Sequence, residues 1–183
     1  RMQKSTGIPA RDIVTTAVQA MGLRDVTGFD IDKKVVGMPA NDNPLVSLKV
    51  TEFVDEVSRD TPAPGGGSIA ALAGALGSAL VSMVANLSIG KGEFDSRYDE
   101  LCQLAEEAQT AKDELIRAVD EDTEAFNEVI AGMRMAKDTP EQLALRSKAI
   151  QAGYKLASEV PLRTAQLCRQ VLDLCQAAVN VGN

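Results

Sequence analysis

Histidine is absent from this chain of 183 residues, and aromatic residues make up only 3% of it. Histidine is the side chain that most often carries protons and binds metals near neutral pH. Any acid–base chemistry is therefore expected to use Asp, Glu, Lys, Tyr or water. Hydrophobic residues still amount to 45%. The core must then consist of Ala, Leu, Val and Met, which favours helices packed on helices.

Positive charge and cysteine are also scarce. The 19 Lys and Arg residues are outnumbered by 26 Asp and Glu, and the net charge of −7 argues against nucleic acid as a partner. The cysteines are odd in number and form no C-x-x-C pair, so neither a disulfide framework nor a metal site is predicted. We expect buried thiols in a reducing, cytoplasmic compartment. The cysteines are Cys102, Cys168 and Cys175.

The stretch from Thr61 to Lys91 carries no charge before its last residue. It opens with the motif PAPGGGS, whose three consecutive glycines predict a loop, because glycine loses much backbone freedom inside a helix. Ser68 then fits the N-cap of the following helix, where free amides and the helix dipole favour a negative group. The loop residues are Pro64, Gly65, Gly66 and Gly67.

The helix predicted after Ser68 is apolar on every side, which indicates a buried helix. Small residues on one stripe let a neighbouring backbone come close: Ala70, Gly74, Ser78 and Ser82. Two interpretations follow, a binding site at the start of a central helix or a tight loop before a core helix. The length would also suit a membrane span. The prolines, glycines and serines argue against one, so no membrane is expected as a partner.

The rest of the chain has helical periodicity. A short N-terminal helix is expected to end at Gly22, before an extended linker in which residues 33–37 form either a strand or extended chain. The long segments predict an all-α, up-and-down bundle of long antiparallel helices. The predicted helices run from Leu45 to before Thr61, from Ser68 to about Gly90, over 96–135, over 141–159 and, after an interruption at Pro161, over 162–179.

Two carboxylates are candidate acid–base groups. Asp122 shares the apolar side of its helix with Val119 and Phe126. A carboxylate there is either paired or harder to ionise than usual, and the second case suits a general acid or base. A buried, hydrogen-bonded strut is the alternative. Asp120 is the second candidate, and a side chain that faces water, as for Glu121, is the expected alternative. Three cationic side chains are candidates to bind an anionic ligand. The alternative is that each is simply solvated. They are Lys91, Arg134 and Lys137.

Three motifs resemble the formiminotransferase–cyclodeaminase family. They are PAPGGGS with the SMVANLSIGK helix end, VDEDTEAFNEVIAGMRMAKDTPE, and EVPLRTAQLC. The resemblance covers about residues 45–183 and implies the helical cyclodeaminase domain, here residues 41–183, which in the family continues past this end. Residues 1–40 resemble the last helix and exit linker of a formiminotransferase domain. We therefore expect a fragment of a two-enzyme polypeptide, truncated at its C-terminus.

The resemblance implies that 5-formiminotetrahydrofolate is closed to 5,10-methenyltetrahydrofolate with release of ammonia, in histidine degradation and one-carbon metabolism. It implies no cofactor beyond the tetrahydrofolate substrate, which is mono- or polyglutamated, and it implies homodimers or rings of dimers. Asp122 is the first choice for the catalytic carboxylate and Asp120 the second. The folate would be bound by Pro64, Gly65, Gly66, Gly67, Ser68, Asn86, Lys91, Arg134 and Lys137.

Two other functions stay open. Stand-alone methenyltetrahydrofolate cyclohydrolases resemble the same domain, although residues 1–40 favour the two-enzyme form. A helical dimerisation module, whose glycines only permit tight packing, is the alternative from another class. A nucleotide-binding P-loop is disfavoured, because no G-K-[ST] follows the glycines.

Overall fold

The structure, a computed structural model, describes residues 10–22 and 44–181. Within these ranges it contains five α-helices, one 3-10 helix and no strand, which confirms the all-α prediction. The strand considered at residues 33–37 lies outside the described residues. In chain order the elements are α1 (Ala10–Ala20), α2 (Val50–Val57), α3 (Gly66–Ser88), a 3-10 helix (Gly92–Arg97), α4 (Tyr98–Arg134) and α5 (Pro140–Val181).

Several helix ends follow the predicted signals. Gly22 and Gly90 follow α1 and α3 with φ values of 65° and 80°, a region that glycine adopts without strain. At the start of α5, Thr139 Oγ1 accepts the N–H of Gln142 at 3.3 Å. The pKa of Glu141 is lowered by hydrogen bonds from its own amide and from Thr139. The first turn of α5 is therefore capped by side chains as well as by Pro140.

The chain divides into two compact units. The first contains α1 together with residues 77–112 and 173–181, and the second contains residues 44–76 and 113–172. The helices α3, α4 and α5 each contribute residues to both units.

Short serine side chains hold α3 against α4 in the first unit. Ser78 Oγ donates to the carbonyl oxygen of Ala108 at 2.7 Å, and Gln109 Nε2 donates to Ser82 Oγ at 3.0 Å. Both serines are buried, where polar groups need such partners. The apolar core of this unit consists of Val18, Val81, Ala85, Leu101, Leu104, Ala105, Ala108, Ala111, Leu174, Ala178 and Val181.

In the second unit, α3 and α4 run antiparallel. Ser68 Oγ donates to the carbonyl oxygen of Val119 at 2.8 Å, and further along α3 Gly74 lies against Leu115 of α4. A Cβ at Gly74 would lie 2.7 Å from Cys168 Sγ on α5. Three helices therefore meet at Gly74, where a larger residue would have to displace the side chain of Cys168.

The helices α4 and α5 are also antiparallel, and they come very close. Gly132 of α4 lies against Ile150 of α5, and Gly153 of α5 lies against Val129 of α4. A Cβ at Gly153 would lie 3.0 Å from both the amide nitrogen and the Cα of Val129. These atoms belong to backbone, which cannot rotate away. The alternating directions of α3, α4 and α5 in this unit fit the predicted up-and-down arrangement.

We expect Gly153→Ala to lower the free energy of unfolding by about 1–3 kcal/mol, because the methyl group forces α4 and α5 apart. The measurement is urea denaturation followed by circular dichroism. Gly66→Ala is the matched control, since a Cβ there meets nothing within 4 Å. A Gly153→Ala protein as stable as the unsubstituted chain would contradict the close approach.

The prediction of two helices separated by Pro161 is wrong, because α5 is continuous from Pro140 to Val181. A proline removes one backbone donor and crowds the preceding turn, but packing supplies most of the stability of a protein helix. One side of α5 is buried before and after the proline. Its members are Gly153, Val160, Thr164, Leu167, Val171, Leu174, Ala178 and Val181.

The prediction that α3 is buried on every side is also wrong. Its buried side consists mainly of small residues: Ser68, Ala71, Ala75, Ser78, Val81, Ser82, Ala85 and Ser88. Its large side chains are exposed, with Leu76 at 60% and Leu87 at 58%. By length and composition, α3 is the one helix in the described part of the chain that could cross a membrane. A single such helix is weak evidence, since helices in the core of a soluble protein have the same properties.

The helix α2 begins at Val50 rather than at the predicted Leu45. Residues 44–48 form turns instead. They are held by Asp120, whose carboxylate accepts the N–H groups of Leu45 and Val46. This long-range contact overrides the local helical pattern, and it connects the entry to α2 with α4.

Candidate active site

The PAPGGGS motif forms the start of α3 rather than a glycine loop. The helix begins at Gly66, so Gly66 and Gly67 are helical and Ser68 is the third helical residue. Gly65 precedes the helix, and its carbonyl accepts the N–H of Ile69 at 3.2 Å. The predicted triple-glycine loop and the predicted N-cap at Ser68 are therefore wrong. Neither helical glycine has a positive φ, so backbone freedom is not what requires glycine there.

The carboxylate of Asp122, on α4, lies over the start of α3. Its Oδ2 accepts the N–H of Ser68 at 2.9 Å, which satisfies a free amide of the first turn. A negative group at a helix N-terminus adds about 0.3–1 kcal/mol. A Cβ at Gly67 would lie 2.5 Å from the carboxyl carbon of Asp122. Glycine is thus required at position 67 because the carboxylate occupies the space of a side chain.

Asp122 is half-buried, and its two oxygens differ. Oδ2 is bound by both the N–H and the hydroxyl of Ser68. Oδ1 has no hydrogen-bond partner within residues 10–22 and 44–181. The carboxylate is therefore paired at Oδ2, as one of the two predicted readings required, while Oδ1 has no hydrogen-bond partner among the described residues.

The hydroxyl of Ser68 is fully buried and lies near three oxygen atoms of α4. It is 2.8 Å from the carbonyl oxygen of Val119, 3.2 Å from Asp122 Oδ2 and 3.4 Å from Thr123 Oγ1. A serine hydroxyl has a single proton. It can therefore donate to Val119 or to Asp122 fully, but not to both at once.

Asp120 does not face water as expected, because it is only 3% exposed. Its Oδ1 accepts the N–H of Leu45 at 2.8 Å, and its Oδ2 accepts the N–H of Val46 at 3.4 Å. Buried charge requires such partners. Both of its oxygens are engaged by backbone, so Asp120 acts as a strut between α4 and residues 44–48.

We expect Asp120→Ala to lower the free energy of unfolding by about 1–3 kcal/mol, because two partly buried amides lose their acceptor. Glu124→Ala, which changes an exposed residue of the same helix, is the control and should have little effect. Chemical denaturation measures both. Equal stability of the two variants would refute the strut.

The remaining predicted binding residues of the second unit are Pro64, Arg134 and Lys137. Pro64 is buried, follows a cis peptide bond and precedes the start of α3. Arg134 ends α4, and Lys137 follows in the connection to α5; both are exposed. Arg134 is twelve residues beyond Asp122, roughly 18 Å along the helix. The structure therefore does not bring these two cations to the Asp122 carboxylate.

Asn86 and Lys91 belong to the first unit. Asn86 is half-buried, and its Nδ2 donates to Ser82 Oγ at 3.3 Å. Lys91 is exposed, and its backbone N–H donates to the carbonyl oxygen of Ser88 at 3.3 Å. Their roles in binding stay predictions.

An apolar pocket in the second unit was not predicted from the sequence. Its volume is about 340 Å³, and side chains of α2, α3 and α4 line it, including Phe53, Ile69 and Ile116. Ile69 directly follows Ser68, so the pocket wall begins next to the residue that holds Asp122. The apolar residues that follow the glycines indicated a buried helix. Their pattern does not distinguish residues that face a core from residues that line a pocket.

Two arginines of the second unit, Arg117 and Arg163, were also not predicted from the sequence as binding residues. They line a polar pocket of about 430 Å³ together with two glutamates. Arg163 of α5 forms an ion pair with Glu121 of α4. The spacing of Glu114, Arg117 and Glu121 places them on one side of a helix. This spacing, and the arginine inside EVPLRTAQLC, were the signals that could have revealed the pair.

In the described part of the chain, no three or more His, Cys, Asp or Glu side chains are placed to hold a metal ion. The three cysteines are free and half-buried rather than fully buried.

Comparison with known proteins gives relatives with two names, a cyclohydrolase and formimidoyltransferase-cyclodeaminases. Methenyltetrahydrofolate cyclohydrolase of Methylorubrum extorquens is 38% identical over 134 residues, which are 73% of this chain and 64% of the relative. The formimidoyltransferase-cyclodeaminases of Rattus norvegicus and Gallus gallus are 32% and 35% identical over 174 residues, or 93% of this chain. The chain spans 32% of the length of each of these two relatives.

A solved structure of formiminotetrahydrofolate cyclodeaminase from Thermotoga maritima has a TM-score of 0.49 and 24% identity, covering 75% of this chain and 79% of that one. A similarity this distant carries no argument about the site. The sequence profile described as Formiminotransferase-cyclodeaminase matches residues 49–183, well over half of the chain. This match confirms the resemblance seen in the motifs, and the chain belongs to the formiminotransferase-cyclodeaminase family.

Proposed function

We propose that this chain is a formimidoyltetrahydrofolate cyclodeaminase, which closes 5-formiminotetrahydrofolate to 5,10-methenyltetrahydrofolate and releases ammonia. Membership of the family supports an enzyme of folate one-carbon metabolism. Relatives named formimidoyltransferase-cyclodeaminase align over 93% of the chain, so the alignment extends to residues before position 49. This favours a polypeptide that also carries a formiminotransferase domain and acts in histidine degradation.

The observation that carries the proposal is the Asp122 carboxylate at the start of α3. Ser68 holds its Oδ2, while Oδ1 is without a partner among the residues described. A half-buried carboxylate with one open oxygen is suited to exchange a proton with a ligand. Asp120 is less suited, because backbone amides engage both of its oxygens. With no histidine in the chain, Asp122 is the best acid–base candidate.

In the proposed reaction, N10 of the folate attacks the carbon of the protonated formimino group, –CH=NH2+, so that a new C–N bond forms while the C=N double bond becomes single. The Asp122 carboxylate takes the N10 proton. It then returns this proton to the amino group of the tetrahedral intermediate, which leaves as ammonia when its C–N bond breaks. One proton is moved and none is consumed. Both nitrogens belong to one molecule, so proximity is already supplied by the substrate.

Two features of the second unit suit the rest of a folate. The apolar pocket that includes Ile69 can take flat rings, since ligand pockets are mostly apolar with a few polar groups. The guanidinium groups of Arg117 and Arg163 line the polar pocket with Glu114 and Glu121. Arg163 is already paired with Glu121, so Arg117 is the candidate partner for a glutamate carboxylate of the folate. Binding through the glycine amides at the start of α3, and preference for polyglutamated folate, are parts of the same proposal.

Methenyltetrahydrofolate cyclohydrolase activity is the second candidate, because a relative of that name is 38% identical. In that reaction water adds to the methenyl carbon, a carboxylate takes a water proton, and the ring opens to 10-formyltetrahydrofolate. Asp122 would again be the carboxylate that takes the proton. The alignment with this relative covers 73% of the chain, against 93% for the two-enzyme relatives, which ranks the cyclodeaminase first.

We further propose that the protein forms homodimers, on which larger rings can be built. The exposed side of α3 carries large apolar residues at helical spacing. Such a stripe on one helix normally packs against another helix. In the first unit, the residues of this stripe are Leu80, Met83 and Leu87. A dimerisation module without activity would share this face, and only folate binding and turnover distinguish it.

Assays with two substrates test the proposal. With 5-formiminotetrahydrofolate, we expect ammonia and 5,10-methenyltetrahydrofolate to appear in equal amounts, at about 1 s⁻¹ or faster. With 5,10-methenyltetrahydrofolate as substrate, we expect slower ring opening. The reverse ranking would establish the cyclohydrolase, and the absence of both turnover and folate-analogue binding would leave the dimerisation module. A cytoplasmic location stays a prediction.

A further inference from the structure

The hydroxyl of Ser68 has more acceptors than protons. It is 2.8 Å from the Val119 carbonyl oxygen and 3.2 Å from Asp122 Oδ2, and it is 0% exposed. Bulk water therefore does not reach the hydroxyl. The backbone N–H of the same residue also binds Oδ2, at 2.9 Å. One serine thus supplies two donors to a single oxygen of the carboxylate.

We propose that Ser68 is the positioning residue of Asp122 and confines the transferred proton to Oδ1. This inference rests on the proposed function of Asp122 as the proton carrier. While Asp122 is ionised, the N–H and the hydroxyl of Ser68 both engage Oδ2, so the N10 proton of the folate is received by Oδ1 and is returned from there. This changes the role of Ser68 from a folate ligand to a residue that acts through the carboxylate.

The hydroxyl changes its acceptor with the charge of Asp122. A carboxylate is the stronger acceptor while it is ionised, and the Ser68 hydroxyl then donates to Oδ2. When Oδ1 carries the proton, Oδ2 is a neutral carbonyl oxygen, and the hydroxyl donates to Val119 instead. The N–H of Ser68 stays on Oδ2 in both states. The Ser68 hydroxyl therefore has an acceptor in both states, and buried polar groups without partners are costly.

The test is steady-state kinetics of Ser68→Ala with 5-formiminotetrahydrofolate. We expect kcat to fall about 10- to 100-fold with KM within about twofold, because orientation rather than binding is lost. Ser78→Ala is the matched control. Ser78 is equally buried on α3 and donates to a carbonyl of α4, but no carboxylate accepts from it. An unchanged kcat in Ser68→Ala, or an equal loss in Ser78→Ala, would overturn the proposal.

A double-mutant cycle separates positioning from general damage. In the Asp122→Asn background, Ser68→Ala should have no further effect on kcat, because the group it positions is already gone. An additive loss would refute positioning through Asp122. If Ser68→Ala does not fold, Ser68→Cys tests the same point, since a thiol fills the space but is a weaker donor, and the same fall in kcat is expected.

A spectroscopic readout keeps the inference apart from the proposed reaction. NMR couplings should show a single side-chain rotamer for Asp122 in the unsubstituted protein and in Ser78→Ala, and an average of rotamers in Ser68→Ala. This result would support the positioning role even if neither folate were turned over, in which case the proposed function alone would fail. An averaged Asp122 rotamer in the unsubstituted protein, or a single rotamer in Ser68→Ala, would overturn the inference.

Discussion

Asp122→Asn is expected to lower kcat for folate cyclisation by about 10²- to 10⁴-fold, the range over which a positioned acid or base contributes. The amide is the same size as the carboxylate, and its oxygen can still accept the N–H of Ser68. It carries no negative charge and cannot take up the N10 proton. The loss should therefore appear in kcat, while the helical fold and the affinity for a folate analogue are kept.

Stopped assays of ammonia release measure this loss, and thermal unfolding shows whether the variant is folded. Glu128→Gln is the matched control, because it removes one negative charge from an exposed position of the same helix. We expect it to retain nearly full activity. If Asp122→Asn cyclised its substrate at a rate close to that of Glu128→Gln, Asp122 would not be the proton carrier.

Gly67→Ala is expected to be almost as damaging as removal of the carboxylate. The added Cβ would lie 2.5 Å from the carboxyl carbon of Asp122, so the side chain must rotate away from the start of α3. Ser68 then loses the acceptor of its N–H. We expect activity to fall at least about 100-fold, because a misplaced group near the reacting atoms costs about this much.

Gly66→Ala separates this clash from the general effect of alanine in the first turn. Nothing lies within 4 Å of a Cβ at Gly66, and alanine favours a helix over glycine by roughly 0.5–1 kcal/mol. Gly66→Ala should therefore be active and slightly more stable. In Gly67→Ala, the same helical gain offsets the lost cap, so its unfolding temperature should change little. Equal activity of the two variants would contradict the geometry at position 67.

The helical architecture was predictable because apolar periodicity and terminal signals are local. Gly22, Gly90 and Pro140 mark helix ends in the sequence and in the structure alike. Pro161 predicted a helix break that the structure does not have. The packing of the buried side of α5 keeps this helix continuous across the proline. Residues 44–48 misled for a related reason, since Asp120 of α4 engages their amides.

The candidate site was predictable only in part. The position of Asp122 on an apolar side, together with the glycine motif, brought the right two segments to attention. Glycine at position 67 was read as a sign of backbone freedom, whereas the structure shows that it makes room for a carboxylate 55 residues later in the chain. Sequence spacing carries no information about such a contact between helices. The same limit explains why Asp120 was expected in water.

The residues around the Asp122 carboxylate come from two successive α-helices of the chain. Gly67 and Ser68 are on α3, and Val119, Asp122 and Thr123 are on α4. A gene exchange between relatives whose crossovers fall outside residues 61–134 therefore transfers the whole group. A crossover near Gly90 separates its halves and pairs a glycine from one parent with a carboxylate from the other. Chimaeric proteins should be assembled with this helical hairpin as an undivided block.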